Sequence, residues 1–163
     1  MRRPVPARLI AVAVAAGSLT MVPLAAPVSA AAVVGASCAK LVSGPPTTVK
    51  GVATSNSTVS SCLPLAATGG SGKSSTNLKT LISTTTWAGG KGKTIVKVAY
   101  KAAPTQGKCP TATTTHILST GKVTGGSGAA LKVIKVGQAV KASVCVNKKT
   151  SAASLEPGTK YVF

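Results

Sequence analysis

Apolar and polar residues alternate along the middle of the chain. In residues 94–101, TIVKVAYK, valine and tyrosine occupy one parity, while Lys97 and Lys101 occupy the other. Period-two alternation with charge on one side indicates a β-strand that has one buried and one solvated face. The preceding residues 78–87 are rich in β-branched side chains, and the AGGKGK segment between the two runs contains three glycines that suit a tight reversal. The pattern therefore predicts a β-hairpin.

Short runs of Val, Ile, Thr and Tyr continue along the rest of the chain, separated by Gly, Ser and Pro clusters. A second glycine-rich segment, residues 125–128, separates two of these runs. The residues EPGT at 156–159 predict a type II turn before a last strand, which places Tyr161 and Phe163 in the core. The predicted strands are residues 47–54, 57–63, 78–87, 94–101, 111–118, 131–136, 139–146 and 159–163.

Seven or eight short strands with turn signals between them predict an all-β domain. A two-sheet antiparallel β-sandwich stapled by two disulfides is the expected architecture, and a small β-barrel is the alternative. We expect a single domain over residues 47–163. Residues 31–46 are expected to form an N-terminal extension that is tied down by Cys38.

Residues 1–30 have the layout of a secretory signal peptide. Three arginines precede an apolar run, and a small-residue VSA site ends at Ala30. We expect cleavage after Ala30 and a secreted, extracellular protein. A membrane anchor formed by an uncleaved signal is the alternative. Residues 9–36 carry no charge, and this segment is longer than the stretch of about 20 residues that is needed to span a bilayer. Lipidation at Cys38 is a third interpretation.

Four cysteines follow this segment, and an even number in an exported chain indicates disulfides. Of the three pairings that are possible, we favour the sequential one, Cys38 with Cys62 and Cys109 with Cys145. A zinc site is the rival interpretation, but the cysteine spacings are much longer than those of structural zinc sites. Parity places Cys62 and Cys145 on the polar faces of their strands. We therefore expect both disulfides to staple termini and loops to the sheets.

Charge is the most unusual feature of the composition. Residues 31–163 contain 16 lysines, no arginine, no aspartate and one glutamate, Glu156, which gives a side-chain charge of +15. The electric field of this positive charge attracts anionic polymers, and the attraction weakens as the salt concentration rises. The alternative is that the lysines only keep the protein soluble and its strand edges apart. The predicted contact face for a polyanion consists of Lys91, Lys93, Lys97 and Lys101.

Specific recognition of nucleic acid is not expected, because such readers rely on arginine and on stacked aromatic side chains. Residues 66–75, AATGGSGKSS, fit a relaxed P-loop spacing, but the chain has no aspartate to help hold Mg²⁺. We interpret residues 68–75 as a flexible surface loop instead. The tripeptide NST at residues 56–58 fits an N-glycosylation acceptor.

The remaining catalytic options depend on His116, the only histidine. A hydrolytic triad would need a serine and Glu156 as its partners, but one histidine in a threonine-rich strand is more typical of a sheet residue. Paired-carboxylate hydrolysis and a carboxylate calcium site both need more carboxylates than this chain has. A cysteine nucleophile would leave three cysteines for disulfides. We therefore predict that the protein is not an enzyme and uses no metal or cofactor.

These observations predict a secreted, basic, non-catalytic β-domain that contacts anionic polymers of the cell envelope or the extracellular space through its lysines. A secreted inhibitor, toxin or small-ligand carrier is the alternative. Such a protein would act on a specific partner through a loop or an apolar cleft, and its binding would depend little on salt.

Overall fold

The structure of the protein is a computed structural model that describes residues 35–163. The predicted signal peptide lies outside the described residues. The strands of the described part are β1 (Ser37–Ser43), β2 (Thr47–Val49), β3 (Val52–Leu63), β4 (Ser71–Asn77), β5 (Ile82–Trp87), β6 (Gly92–Ala102), β7 (Thr114–Ser127), β8 (Ala139–Asn147), β9 (Ala153–Leu155) and β10 (Tyr161–Val162). Two one-turn helices, α1 (Leu65–Thr68) and α2 (Ala130–Val133), lie in the connections.

Eight of these strands close into an antiparallel β-barrel. Strands β3 to β9 pair in chain order, and β1 pairs with β3 on one side and with β9 on the other. The short strands β2 and β10 are additions to this barrel. The predicted sandwich is not confirmed, and the alternative, a small β-barrel, fits. The closing strand β1 comes from residues that were expected to form an extension. The sequence pattern did not predict a strand here because the buried positions of β1, Cys38 and Ser43, do not follow a simple period of two.

Strand β4 passes through residues 71–77, so the predicted surface loop at residues 68–75 is wrong for most of its length. The buried positions of β4 are Gly72, Ser74 and Thr76, which are small or hydroxylated rather than apolar. A strand whose inward face carries no large apolar side chain lacks the hydrophobic alternation by which strands are recognised. The same composition is typical of a loop, which explains the misassignment.

The second glycine-rich segment also differs from the prediction. Strand β7 runs through it to Ser127, and α2 replaces the strand that was predicted over residues 131–136. A Cβ atom at Gly126 would lie 2.2 Å from the Lys93 carbonyl oxygen. Glycine is therefore needed here because β6 and β7 approach closely, and not because the chain turns.

The two predicted turns are confirmed. Strands β5 and β6 form a hairpin, and Gly89 and Gly90 in its turn have φ values of 60° and 67°. These left-handed values are those that a tight hairpin turn requires. In the second turn, Gly158 has a φ of 83°, and the Thr159 amide donates a hydrogen bond of 3.0 Å to the Glu156 carbonyl.

An apolar core fills one end of the barrel, which we call the closed end. Phe163 is fully buried there, with its ring centroid 5.1 Å from Trp87 and 4.4 Å from Tyr161. The Phe163 amide donates a 2.7 Å hydrogen bond to the Ala36 carbonyl, so the C-terminus is docked as predicted. Ile134, which follows α2, is also fully buried. The closed end therefore collects residues from both ends of the described chain.

The disulfides have the predicted sequential pairing, Cys38–Cys62 and Cys109–Cys145. Cys38 and Cys62 lie opposite each other on β1 and β3, in the core. The predicted polar-face position of Cys62 is therefore wrong, because Ser61 adopts a φ of 53° and breaks the alternation of β3.

Cys145 does lie on the outer face of its strand, opposite to the inward side chains of β8. Its partner Cys109 belongs to the connection between β6 and β7, and both cysteines are buried. This second disulfide therefore fastens a loop to the outside of the barrel, as predicted.

Candidate functional site: a cavity at the open end of the barrel

A cavity of about 270 Å³ lies inside the barrel, towards the end opposite to the core. We call this the open end. Every strand of the barrel contributes side chains to the cavity lining. The lining also includes Pro46, Leu78 and Ser151 from connections at the open end, and Pro46 and Ser151 are exposed. The cavity therefore reaches the surface at this end.

One wall of the cavity consists of hydroxyl groups on β4 and β5. The Ser74 hydroxyl lies 3.0 Å from the hydroxyls of both Ser83 and Thr85, and Thr76 donates a 2.9 Å hydrogen bond to Ser83. These four side chains are buried, and all of them except Thr85 line the cavity. Because alternate residues of a strand share a face, two adjacent strands with a hydroxyl at every second position produce a continuous hydroxyl wall. Ser55 and Ser57 extend this wall onto β3.

The opposite wall is aliphatic. It is formed by inward side chains of β6, β7 and β8, which follow the hydroxyl-bearing strands around the barrel. Its members include Val98, Ile117, Ala142, Val144 and Val146. The cavity is therefore two-sided, with hydrogen-bonding groups on one wall and hydrocarbon on the other.

Among the residues that the structure describes, two tyrosines contribute the only ionisable side chains to the cavity lining. Burial raises the pKa of Tyr100, although a hydrogen bond with Thr76 partly opposes this shift. Burial also raises the pKa of Tyr161, and the nearby Tyr100 hydroxyl adds to the effect. Both phenols therefore keep their protons at neutral pH, and the lining contributed by residues 35–163 is uncharged.

A second polar cluster lies on the outside of the barrel, beside the Cys109–Cys145 disulfide. His116 Nε2 is 2.5 Å from the Ser143 hydroxyl, which donates a 2.7 Å hydrogen bond to Glu156 Oε2. His116 Nδ1 is 2.7 Å from the Thr105 carbonyl oxygen. The Glu156 carboxylate also accepts a 2.8 Å hydrogen bond from the Lys108 amide. We call this cluster of His116, Ser143, Glu156 and the Thr105 carbonyl the latch.

The latch contains the residue types of a hydrolytic triad, but their order is different. In a triad, the carboxylate orients the imidazole from the side opposite to the serine, so that the imidazole can take the serine proton. Here Ser143 donates a hydrogen bond to the Glu156 carboxylate, and the Thr105 carbonyl contacts the far side of the His116 ring. The latch instead joins three segments, which are the 103–113 connection, the β7–β8 pair and the turn after β9.

The hydrogen bonds of the latch predict that the stability of the fold depends on pH in the acid range, through the carboxylate of Glu156. The hydrogen bond from the Lys108 amide, followed by that from Ser143, holds the pKa of Glu156 below its usual value of 4.5, and His116 and Lys108 add attraction. A lowered pKa in the folded state stabilises the fold above the unfolded-state pKa, and this contribution is lost as pH falls through the folded-state pKa. Wild-type protein should therefore lose stability as pH falls below about 4.5.

The matched variant is Glu156→Gln, which keeps the shape of the side chain without its charge. We expect it to be less stable than wild type at pH 7, and we expect the difference to shrink in acid. Urea unfolding at a series of pH values measures both effects. Because Glu156 is the only acidic side chain in the sequence, few other groups contribute in this range. An equally steep loss of stability in Glu156→Gln would contradict the assignment.

The lysines that were predicted to contact a polyanion do not all lie together. Lys93, Lys97 and Lys101 lie at exposed positions of β6, outside the barrel. Lys91 lies in the β5–β6 turn at the closed end and is partly buried. Lys97 faces Lys122 directly across the β6–β7 pair, so the outer surface carries like charges side by side.

The P-loop-like stretch has a different role from the one its spacing suggests. Its lysine, Lys73, is exposed on β4, while Gly72 and Ser74 face inward. The segment is a strand inside a sheet, and it lacks the glycine-rich turn leading into a helix that a phosphate-binding loop requires. Residues of this stretch instead help to form the hydroxyl wall.

Sequence reasoning missed the cavity residues as functional candidates. The available signal was the repetition of hydroxyl residues at every second position, at Ser74 and Thr76 and again at Ser83 and Thr85. Such a pattern on two neighbouring strands indicates a polar surface that faces inward, once the strands are known to pair. Which strands pair is a property of the tertiary structure, and the sequence of a single strand does not reveal it.

Comparison with models of known protein families, with curated protein sequences and with solved structures finds no match for this chain. Within residues 35–163, no helix is long and apolar enough to cross a membrane. The function of the protein is therefore inferred from its own residues.

Proposed function

We propose that this protein is a non-catalytic carrier that binds one small molecule inside its barrel. The observation that supports this most strongly is the cavity of about 270 Å³ that the closed barrel encloses and that opens at one end. Eight-stranded barrels have interiors that are just wide enough to be filled by side chains or to hold one small ligand. Here the core fills only the closed end, so that space remains at the other.

The size of the cavity limits the ligand. Small-molecule sites in proteins typically occupy about 300–1,000 Å³, and this cavity lies just below that range. At ~30 Å³ per molecule, it would hold about nine waters. A compact ligand with one or two rings is therefore a better fit than a long lipid chain.

The site of action that we propose is outside the cytosol. The two disulfides support it, because such bonds persist in oxidising compartments. A signal-like N-terminal sequence supports it as well. A carrier with a stapled barrel would keep its cavity formed in that environment.

Filling the cavity should abolish binding. Ala142 is a buried residue of the aliphatic wall, and Ala142→Phe would place a ring in the space that we assign to the ligand. We expect its affinity for small uncharged aromatics, with indole and benzofuran as probes, to fall at least tenfold. Isothermal titration calorimetry measures this loss.

The matched control is Ala139→Phe, which makes the same change at an exposed position of the same strand. It should bind both probes as wild type does. Thermal unfolding in the absence of probe checks that both variants are folded. Unchanged binding by a folded Ala142→Phe variant would contradict the proposal.

A second candidate function is the contact with anionic polymers through lysines. The specific observation in its favour is the Lys97–Lys122 pair, since like charges directly opposite each other in a sheet destabilise it. A bound polyanion would relieve this repulsion. Lys93 and Lys101 continue the positive row along β6, and Lys141 lies at an exposed position of β8.

The test is a comparison of two variants with equal net charge. In the first, Lys93, Lys97, Lys101 and Lys122, which lie on the outer surface of the β6–β7 pair, are replaced by glutamine. In the second, four scattered lysines are replaced, namely Lys40, Lys73, Lys132 and Lys149. We expect the first variant to bind dextran sulfate more weakly than the second across a salt series, because a localised patch neutralises neighbouring charges on the polymer. Equal losses would show that only net charge matters.

A further inference from the structure

We propose that the ligand of the cavity is a small organic acid, with a compact uncharged body that enters the barrel and a carboxylate or similar anionic group that stays at the mouth, between Lys79 and Lys149. This inference rests on the proposed carrier function and specifies its ligand class. It is based on the uncharged lining, on the lysines of the open end and on two equivalent turns that present two of these lysines.

The interior of the cavity suits an uncharged body. The aliphatic wall offers hydrocarbon to a ligand, and the hydroxyl wall offers hydrogen-bonding groups. Among residues 35–163, no carboxylate, ammonium or imidazole group lines the cavity. A charged group that entered the barrel would lose its hydration without gaining an ionic partner. Any charge on the ligand is therefore expected at the mouth, where it stays in contact with water.

The connections at the open end carry lysines. Antiparallel strands place successive connections at alternate ends of a barrel, so the segments that join strands at the open end are residues 44–51, 78–81, 103–113 and 148–152. Each segment contains at least one exposed lysine, and the full set is Lys50, Lys79, Lys108, Lys148 and Lys149. Glu156, the only acidic side chain in the sequence, belongs to the latch outside the barrel. The open end therefore combines an uncharged cavity with a positively charged surround.

Two of these connections form the same turn. In residues 77–81, NLKTL, and in residues 147–151, NKKTS, the first asparagine side chain accepts hydrogen bonds of 2.9 and 3.0 Å from the amides of the third and fourth residues. The amide of the fifth residue donates a 2.8 Å hydrogen bond to the asparagine carbonyl in both turns. The φ of this fifth residue is 57° in the first turn and 58° in the second. The third residue is Lys79 in one turn and Lys149 in the other, so equivalent hydrogen bonds hold the backbone of both lysines.

The two turns lie on opposite sides of the mouth. The first joins β4 to β5, and the second joins β8 to β9. Around the closed ring they are separated by β5 to β8 in one direction, and by β9, β1, β3 and β4 in the other. Each turn also contributes one residue to the cavity lining, Leu78 or Ser151. Because lysine carries its charge on a flexible four-carbon stem, both exposed side chains can reach towards an anionic group at the mouth.

Indole-3-acetate and indole-3-acetamide provide a matched pair of probes. The two molecules have nearly the same shape, but only the acetate carries a negative charge at neutral pH. In low salt, we expect the full chain to bind the acetate about fivefold more tightly, because each exposed ion pair contributes about a two- to threefold gain in affinity. At about 1 M salt, where charges are screened within about 3 Å, the preference should fall to about twofold or less. Isothermal titration calorimetry measures both affinities.

Two variants of equal net charge test whether the preference arises at the mouth. In Lys79→Gln/Lys149→Gln, the preference for the acetate should fall to about twofold or less. The matched control is Lys132→Gln/Lys160→Gln, which removes two exposed lysines from connections at the closed end. It should keep most of the preference. If both double variants lose the preference equally, the net charge of the protein causes it and the assignment to the mouth is wrong.

The outcomes separate the ligand class from the carrier function. Equal binding of the two probes, with both lost in Ala142→Phe, would overturn the anionic group and leave the carrier function intact. Binding of indole but of neither larger probe would do the same. A preference for the acetate that persists in Ala142→Phe would place the probe outside the cavity and contradict the proposed ligand. No saturable binding of indole or of either larger probe would overturn both proposals.

Discussion

Replacing Phe163 with alanine is expected to destabilise the protein by about 3–5 kcal/mol, the usual cost of removing a buried aromatic ring from a core. Phe163 is fully buried, and its ring packs against those of Trp87 and Tyr161. These rings form much of the closed end, so removal of the Phe163 ring leaves a cavity between them. Since small domains have only about 5–15 kcal/mol of stability, the loss would be a large fraction of the total.

Urea unfolding of wild type and Phe163→Ala measures this change. The matched control is Val162→Ala, which shortens the preceding side chain at a position that is 44% exposed. We expect the control to cost less than about 1 kcal/mol, as is usual for surface positions that lack special contacts. If the two variants lost similar amounts of stability, Phe163 would not be the packing centre of the closed end.

Removing the Cys38–Cys62 disulfide by a double substitution with alanine is expected to cost at least about 3–4 kcal/mol. The chain-entropy model assigns this amount to a bridge between residues 24 positions apart, because the bridge restricts the unfolded chain. Both cysteines are also fully buried in the core, so their removal leaves space between β1 and β3. The expected total is therefore larger than the entropic contribution alone.

The second disulfide provides the comparison. Cys109 and Cys145 are 36 positions apart, and the same model assigns their bridge a similar contribution. Because this bridge fastens a loop outside the core, its removal should cost less in packing. Urea unfolding of both double variants tests the ranking. A greater loss on removing Cys109–Cys145 would mean that the outer segment, together with the latch, stabilises the barrel more than the core bridge does.

Local patterns predicted the strands with apolar inward faces and the turns with glycine at left-handed positions. The alternation in β6 and the AGGKGK turn are determined by neighbouring residues, which a sequence displays directly. Barrel closure depends on β1 pairing with both β3 and β9. The pairing partners are distant in the chain, and the irregular burial of β1 gives no local sign of them.

The candidate site was missed for a related physical reason. Strand recognition depends on apolar side chains at alternate positions, whereas β4 faces the cavity with Ser74 and Thr76. The polar composition that gives the cavity its hydroxyl wall also makes this strand resemble a loop. In this protein, a departure from the hydrophobic pattern coincides with the candidate site, as is expected where function competes with packing.

The position of β1 links the existence of the cavity to the order in which the chain is assembled. Ser43 on β1 accepts a hydrogen bond from the amide of Ala153, 110 residues further along the chain. The ring of strands therefore stays incomplete until β9 has been synthesised and has found β1. Such distant pairing makes folding slow, because a long loop must close before its contacts form. A chain that lacks β9 has no enclosed site, so under the proposed carrier function ligand capture would report that the barrel is complete.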